Sequence, residues 1–524
     1  MKKWILKDRT EENIIDQLLV NRGIKDVDRF FNPEYEDLAD PFLMKDVKKA
    51  VQRIKKAKKI AIFGDYDTDG VTGAIILKNL VESLNFKPVV YIPDRKKEGY
   101  GLNTKAIKEL AKQNADLIIT VDCGISDFAE VALANKLGID VIITDHHAIP
   151  AKLPDAFAII NPKQNNCSYP FKQLAGVGVA FVLTRAFKLD FEKWLLDLVA
   201  IGTVADCMPL LNENRILTKF GLIVLEKTRN IGLKQIMPQK INAESIAFQI
   251  APRLNAAGRM DHANTSYELL VSNSEKEIRS LAQKLEKNNQ HRQRETEKIL
   301  KEVREKINLD QKFIFAYNKN WPIGVIGLVA GKLCDKYHRP VVIIGQGAGS
   351  CRSIEAFNTI EALAQCSDYF IEFGGHAQAA GFKIEKNKIK ILEKKLEKII
   401  NQKLKSEDLI CHLEIDAELK SEDINFDLLN QIKLFEPFGQ GNPKPRFLLK
   451  NAVINNMQCV GNGSQHLRMK LNSFKAIGFN CAGYASHLNI NDRIDLIFEL
   501  EQDDWQGFTN LQLRIIDLRR SDVS

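Results

Sequence analysis

The chain has 524 residues, too many for one hydrophobic core, so three or four domains are expected. A net charge of +8 leans mildly toward polyanionic partners, and no 18-residue uncharged apolar run offers a membrane span. Nine scattered cysteines without a C-x-x-C pair argue against a disulfide scaffold or zinc ribbon; with no apolar h-region behind Met1-Lys2-Lys3, a cytoplasmic location is expected.

Residues 1–55 read as a helical segment broken at Pro33 and Pro41, with Leu18, Leu19, Val20, Phe30 and Phe31 as apolar faces packing on the domain that follows. From Lys58 strands and helices alternate. The strands are Ile60–Phe63, Pro88–Ile92, Leu117–Val121, Val141–Thr144 and Phe157–Ile160; the helices are Thr72–Ser83, Thr104–Gln113 and Asp127–Leu137. Such spacing predicts an α/β domain with a doubly wound parallel sheet, its loops gathered on one edge.

The first of those loops carries Asp65, Asp67 and Asp69 ahead of Gly70. Three carboxylates so close repel one another, and beside a core they call for a cation. The spacing fits an EF-hand, but the twelfth position must be Glu and is Ile76, and a strand precedes the loop instead of a helix. A solvated acidic turn is the plain alternative; a metal site at the carboxyl ends of parallel strands is the preferred one. Asp122-Cys123-Gly124 follows the third strand, Asp145-His146-His147 the fourth, and Asp206 the helical stretch from Trp194. Hard oxygen and imidazole donors suit manganese or magnesium better than zinc. Arg95, after the second strand, is either a surface charge or a phosphate contact.

Further on, Arg253 and Arg259 lie in a Gly/Ala/Asn-rich stretch that reads as a turn, with nucleic-acid backbone contact and plain loop structure both open. Ser272–Asn308 reads as one long charged helix capped from Ser272 with Glu275; Lys287, Arg292 and Arg294 are a solvated face or the wall of a groove. A second α/β domain is expected from Lys312–Ala316, Val325–Tyr337 and Val341–Ile344. Its segments 349–353 and 373–381 pair glycines with cations, as ordinary turns or as phosphate cradles. From residue 405 short strands with Gly/Asn turns predict an all-β OB-fold, with Phe447, Phe474, Phe479 and Trp505 as stacking or core aromatics.

Taken in order, Asp65-x-Asp67-x-Asp69-Gly70, Asp122, Asp145-His146-His147 and Asp206 resemble the successive motifs of the DHH phosphoesterase superfamily. Gly64–Asp67, Glu98-Gly99-Tyr100-Gly101-Leu102 and Ala251–Met260 resemble, within it, the RecJ family of single-strand-specific exonucleases; Gly374–Gly381 is similar to the GGH-x-x-A-A-G motif of the DHH-associated domain. The resemblance runs from about residue 15 to the C-terminus. It implies a DHH domain at 56–271, a connecting helix at 272–309, a smaller DHH-associated domain at 310–402 and a nucleic-acid-binding OB-fold at 405–524.

The resemblance also implies chemistry. Two divalent ions, manganese or magnesium, are expected: one on Asp67 and Asp122 with Asp65, the other on Asp69, Asp122, His146 and Asp206. Phe63 stands where related pyrophosphatases have a histidine ligand. Asp145 orients a histidine, and His147 meets the scissile phosphate or protonates the leaving oxygen. Arg95, Ser350 and Arg352 are expected around a terminal 5′-phosphate, with Gly374, Gly375 and His376 facing the cleft. The implied activity is 5′-to-3′ hydrolysis of single-stranded DNA to 5′-mononucleotides in repair and recombination. The expected form is a monomer beside a single-strand-binding protein and a helicase, with no membrane contact. A phosphodiesterase of short RNA or cyclic dinucleotides, or a non-catalytic DNA-binding scaffold, is the alternative.

Overall fold

An apolar strand without polar alternation is stable only with both faces covered. Five such strands form a parallel sheet in the computed structural model, which describes residues 2–503 and 509–521. After a short first strand, β1 (Lys3–Leu6), come β2 (Ile60–Gly64), β3 (Val89–Tyr91), β4 (Leu117–Val121), β5 (Asp140–Thr144) and β6 (Ala158–Ile160). The sheet order is β3-β2-β4-β5-β6, and β2 and β4 are buried throughout. Helices α1 (Thr68–Ser83), α2 (Thr104–Lys112) and α3 (Phe128–Lys136) are the crossovers. Ile107 and Leu110 of α2 and Val131 of α3 pack with Ala61, Ile118 and Val141 on one face of the sheet. α1 packs against α4 (Gly176–Arg185) and α5 (Leu196–Ala205) on the other side. The winding reverses between β2 and β4, which opens a crevice at their carboxyl ends.

The stretch around Arg253 and Arg259 is not a turn. It is a helix, α6 (Ala251–Met260), with Pro252 in its first turn, entered through a π-helical turn at Ile246–Ile250. Gly258 is there because the helix lies against the Asp65–Asp69 loop: a Cβ on it would stand 2.8 Å from the Tyr66 carbonyl oxygen. The charged connector is α7 (Glu275–Arg304), capped by Ser274, whose side chain accepts from the Glu277 N–H. Ser272 instead hydrogen-bonds the Glu277 carboxylate at 2.5 Å, so the cap lies two residues later than expected.

β7 (Ile314–Asn318), α8 (Ile323–Tyr337), β8 (Val341–Gly345), β9 (Ala348–Arg352), β10 (Phe370–Gly375) and β11 (Ala379–Ile384) build the second α/β domain, with sheet order β10-β11-β9-β8-β7. Ile299, Leu300 and Val303 of α7 share its core with Val329, Leu333 and Ile343. Both glycine segments are built on strands: 349–352 on β9, and 373–375 and 379–381 on β10 and β11, joined by the turn 376–378. Gly374 pairs with Gly381, and Gly381 with Ser350. Gly349 makes room for the Phe382 ring, which a Cβ would meet at 2.1 Å. Residues Ala39–Met208 and Phe220–Cys411 form one unit.

The other unit joins Lys2–Leu38, Pro209–Lys219 and the chain from His412. Its strands are β12 (His412–Ile415), β13 (Ala417–Glu418), β14 (Phe447–Val460), β15 (His466–Leu471), β16 (Phe474–Gly478), β17 (Arg493–Asp503) and β18 (Asn510–Arg520). β14 pairs with β17 along its first half and β15 along its second, with a register shift at each, so β14-β15-β16-β18-β17 closes into a five-stranded barrel.

The N-terminal segment departs from expectation. Residues 2–38 group with the barrel and not with the five-stranded parallel sheet. β1 pairs in parallel with β12, and Leu18, Leu19 and Phe30 join Phe435 and Phe447 in the barrel core. Arg215, 2% exposed, ties this unit together by donating to the carbonyls of Phe30, Phe435 and Leu434 at 2.7–3.0 Å. Arg215→Met leaves those carbonyls buried and unpaired. It is expected to cost about 3 kcal/mol or more, read as a lower denaturant midpoint; an unchanged midpoint would refute this role.

Candidate metal centre and nucleic-acid site

The carboxylates are placed by backbone that is still on the sheet. The N–H of Asp65 reaches Val121 O, that of Asp122 reaches Thr144 O, and that of Asp145 reaches Ile160 O, at 3.0–3.3 Å. Each is the first residue past its strand, so each side chain is fixed at the crevice edge. Asp122 is held at φ 63°, in the left-handed region that Asp and Asn tolerate. Gly176 opens the space beside it: a Cβ there would lie 2.7 Å from that of Asp122. α1 begins at Thr68, earlier than expected, because Asp67 caps it by accepting the Gly70 N–H at 3.0 Å. Asp69, in its first turn, accepts the N–H groups of Gly176 and Val177 at 2.7 and 2.8 Å. Asp206 sits at the C-terminal end of α5, where the helix dipole disfavours a negative charge.

These side chains converge in two places. Asp65, Asp67 and Asp122 offer oxygens within 4.8 Å of one another, and so do Asp69, His146 and Asp206 in their ligand atoms. Asp122 also groups with His146 and His147. His146 Nε2 lies 3.1 Å from Asp122 Oδ1 and 3.4 Å from Asp206 Oδ2. Yet Asp65 Oδ1, Asp122 Oδ1, both ring nitrogens of His146 and Asp206 Oδ2 are buried without a hydrogen-bond partner among the described residues. Buried polar atoms left unpaired are costly. Orphaned oxygens and an imidazole aimed at common points fit hard divalent cations.

The protonation states agree. Burial, then repulsion from Asp67, pushes Asp69 up to about 7. Burial, then Asp69 and Asp67, pushes Asp206 up to about 9. Asp65 and Asp122 are raised mainly by burial. His146 is drawn down to about 3 by burial and by His147, and is therefore the neutral, ligating form. Carboxylates whose folded values exceed the unfolded ~3.9 stabilise the metal-free fold at low pH, and that stability is lost as pH rises through about 7 and about 9. A cation needs the ionised forms. Manganese is therefore expected to raise the melting temperature more at pH 8.5 than at pH 6, with proton release on binding; an equal rise at both would remove this account.

Asp145 serves the second histidine. Its Oδ1 meets His147 Nδ1 at 2.8 Å and the N–H groups of His146 and His147 at 2.7 and 3.0 Å. This ion pair raises the His147 pKa against its burial. Tyr100, singled out by no sequence argument about chemistry, donates to the Asp122 carbonyl at 2.9 Å and lies 3.1 Å from His147 Nδ1. Asn161 and Lys163, just past β6, were also missed. Asn161 donates to the His147 carbonyl at 3.0 Å and Lys163 to that of His146 at 2.5 Å.

Arginines gather near the Asp65–Asp69 loop. The Arg95 guanidinium stands 5.0 Å over the Tyr66 ring. Arg259, drawn down to about 9 by burial, feels Arg95 and Arg292 as repulsive neighbours, Asp67 as an attractive one, and Arg352. Arg352 donates to Ser350 Oγ at 3.3 Å and to Cys351 O at 2.7 Å. Arg292 Nε is buried without a partner among the described residues. α8 reaches α6 through Gly324, where a Cβ would stand 2.2 Å from the Arg259 carbonyl oxygen.

Other expected residues are not in this cluster. Arg253 turns to Glu286 on α7 at 2.8 Å. Lys287 and Arg294 are exposed on α7. Gly374, Gly375 and His376 are exposed on the β10–β11 hairpin, outside the groups above. In the barrel Phe447 is core, Phe474 packs on the core, and Phe479 is 52% exposed with the Arg514 guanidinium 5.7 Å from its ring; Trp505 lies outside the described residues. No helix among the described residues is long and apolar enough to cross a membrane.

Comparison with known proteins matches residues 59–203 to the DHH family N-terminal domain, 310–402 to the DHHA1 domain and 415–517 to the RecJ OB domain. The single-stranded-DNA-specific exonuclease RecJ of Bacillus subtilis (strain 168) is 38% identical over 96% of this chain and 67% of that protein. That of Haemophilus influenzae is 33% identical over 96% of this chain and 95% of that protein. The crystal structure of RecJ from Thermus thermophilus in complex with Mn2+ superposes with a TM-score of 0.88 at 26% identity, over 99% of this chain and 79% of that one.

Proposed function

This chain belongs to the RecJ family of DHH phosphoesterases, and from that premise we propose that it is a divalent-metal-dependent exonuclease specific for single-stranded DNA, working from the 5′ end and releasing 5′-mononucleotides. The observation that carries the reading is the set of orphaned carboxylate and imidazole atoms converging beside a cluster of arginines. Asp65, Asp67 and Asp122 would hold one cation; Asp69, His146 and Asp206, with Asp122 shared, would hold the other. Manganese or magnesium there supplies Lewis acidity, neutralising charge on the phosphoryl oxygens and making water acidic enough to attack at neutral pH.

The protein's own groups do the rest. Asp145 keeps a proton on His147 Nδ1, so His147 presents Nε2 to the scissile phosphate or the leaving oxygen. Arg95, Arg259, Ser350 and Arg352 bind the terminal 5′-phosphate, Arg through paired N–H donors that match phosphate geometry. A fixed pocket beside a fixed cleavage centre makes the enzyme count one nucleotide from an end. The barrel adds binding along the strand, with Phe479 as its exposed aromatic. The chain acts as a monomer on strands that a helicase supplies and a single-strand-binding protein holds open.

The test is incubation of 5′- and 3′-labelled single-stranded and duplex DNA and RNA with manganese, magnesium or chelator. Mononucleotide released at once from the 5′ label, on single-stranded DNA only and with metal only, is the expected result. Label released first from the 3′ end would overturn the direction; no cleavage of DNA at all would overturn the activity. Cleavage confined to short RNA would favour the phosphodiesterase alternative.

A further inference from the structure

Two sets of cations stand near the carboxylates, and they have different neighbours. Arg259 interacts with Arg95, Arg292, Arg352 and Asp67, and Arg95 with Asp65, beside the Tyr66 ring that its guanidinium covers. Lys163 acts instead on Asp145 and Asp206, and on both histidines. Among the described residues it is the cation that hydrogen-bonds the histidine loop. Its base is rigid: Asn161 is fully buried, Pro162 is buried, and the Lys163 N–H is held by Asn161 Oδ1 at 2.9 Å. The ammonium is pinned on the His146 carbonyl at 2.5 Å, while the residue remains exposed. Among the described residues no carboxylate lies within ion-pair distance of it. A lysine that merely balanced the acidic cluster would sit on a carboxylate. This one spends one donor on a carbonyl, keeps the others, and lies just past the carboxyl end of β6.

We propose that Lys163 binds the substrate, holding the phosphate on the 3′ side of the scissile linkage while the arginines hold the terminal phosphate on its 5′ side. The inference rests on the exonuclease reading above. A strand anchored at its first phosphate by guanidinium groups and cut over Asp122 must leave the centre past the histidines, where a second cation keeps the next linkage from swinging away. An ammonium, a point charge with rotatable donors, suits a phosphate that must slide forward by one nucleotide after each cut, whereas paired guanidinium contacts suit an end that is held.

The test is a cycle between protein and substrate. Wild type, Lys163→Met and Lys163→Arg are given a 5′-phosphorylated strand, and the same strand with one neutral methylphosphonate at the second linkage, so that the first cut still crosses an ordinary bond. Lys163→Met is expected to slow the first cut roughly 10- to 100-fold on the ordinary strand. The neutral linkage should slow wild type about as much and the Met variant no further, and Lys163→Arg should recover most of the rate. Equal slowing of both strands by Lys163→Met, or loss of its manganese-induced rise in melting temperature, would show a brace for the His146 loop and overturn the proposal. The same cycle read as affinity, by fluorescence anisotropy with calcium, judges the contact without cleavage. A wild type that binds with this pattern but never cuts would sink the exonuclease reading and leave the contact standing.

Discussion

Asp122→Asn is expected to lower exonuclease activity by on the order of 10³-fold or more and to abolish the rise in melting temperature that manganese gives. Among the described residues, Asp122 is the one carboxylate grouped both with Asp65 and Asp67 and with the histidines. Its oxygen is orphaned and buried, and its position is set by a ladder hydrogen bond and a left-handed backbone that asparagine also adopts. The substitution therefore removes charge with little change of shape. A variant near wild-type rate at saturating manganese would show that the two groups do not share this residue.

Arg352→Ala is expected to cut kcat/KM on 5′-phosphorylated strands by about 10²-fold while leaving 5′-hydroxyl strands nearly untouched, since a charge-assisted contact of about 1.5–3 kcal/mol is lost only when the phosphate is there. Its guanidinium is steadied by Ser350 Oγ and the Cys351 carbonyl and lies near Arg95 and Arg259. Arg352→Lys should fall between, because an ammonium cannot reproduce the fork. An equal loss on both kinds of end would assign Arg352 to the fold of β9 and not to the terminal phosphate.

The centre was largely legible because its residues obey a rule that sequence carries: the loop after a parallel strand lies on the ligand edge. Asp65, Asp122 and Asp145 each follow a buried apolar run, so local pattern alone put them together. The same rule covers Asn161 and Lys163 after β6, but neither is a carboxylate or imidazole, so nothing in their chemistry marks them as metal donors. Glycine misled in both directions. Gly258 and Gly349 mark close packing, against the Tyr66 carbonyl and the Phe382 ring, not turns or phosphate cradles. β1 was illegible for a different reason. Its partner β12 lies some 400 residues away, and nothing local in Lys3–Leu6 distinguishes a lone strand from a frayed helix.

Gly324 presses on the backbone of Arg259 with no room for even a methyl group. On the proposed reading, the spacing between end pocket and cleavage centre is therefore set where the two α/β lobes touch. If Arg259 and its neighbours hold the end of the strand as proposed, any side chain at that point would push that pocket away from the carboxylates, and the enzyme would misjudge the length of its bite.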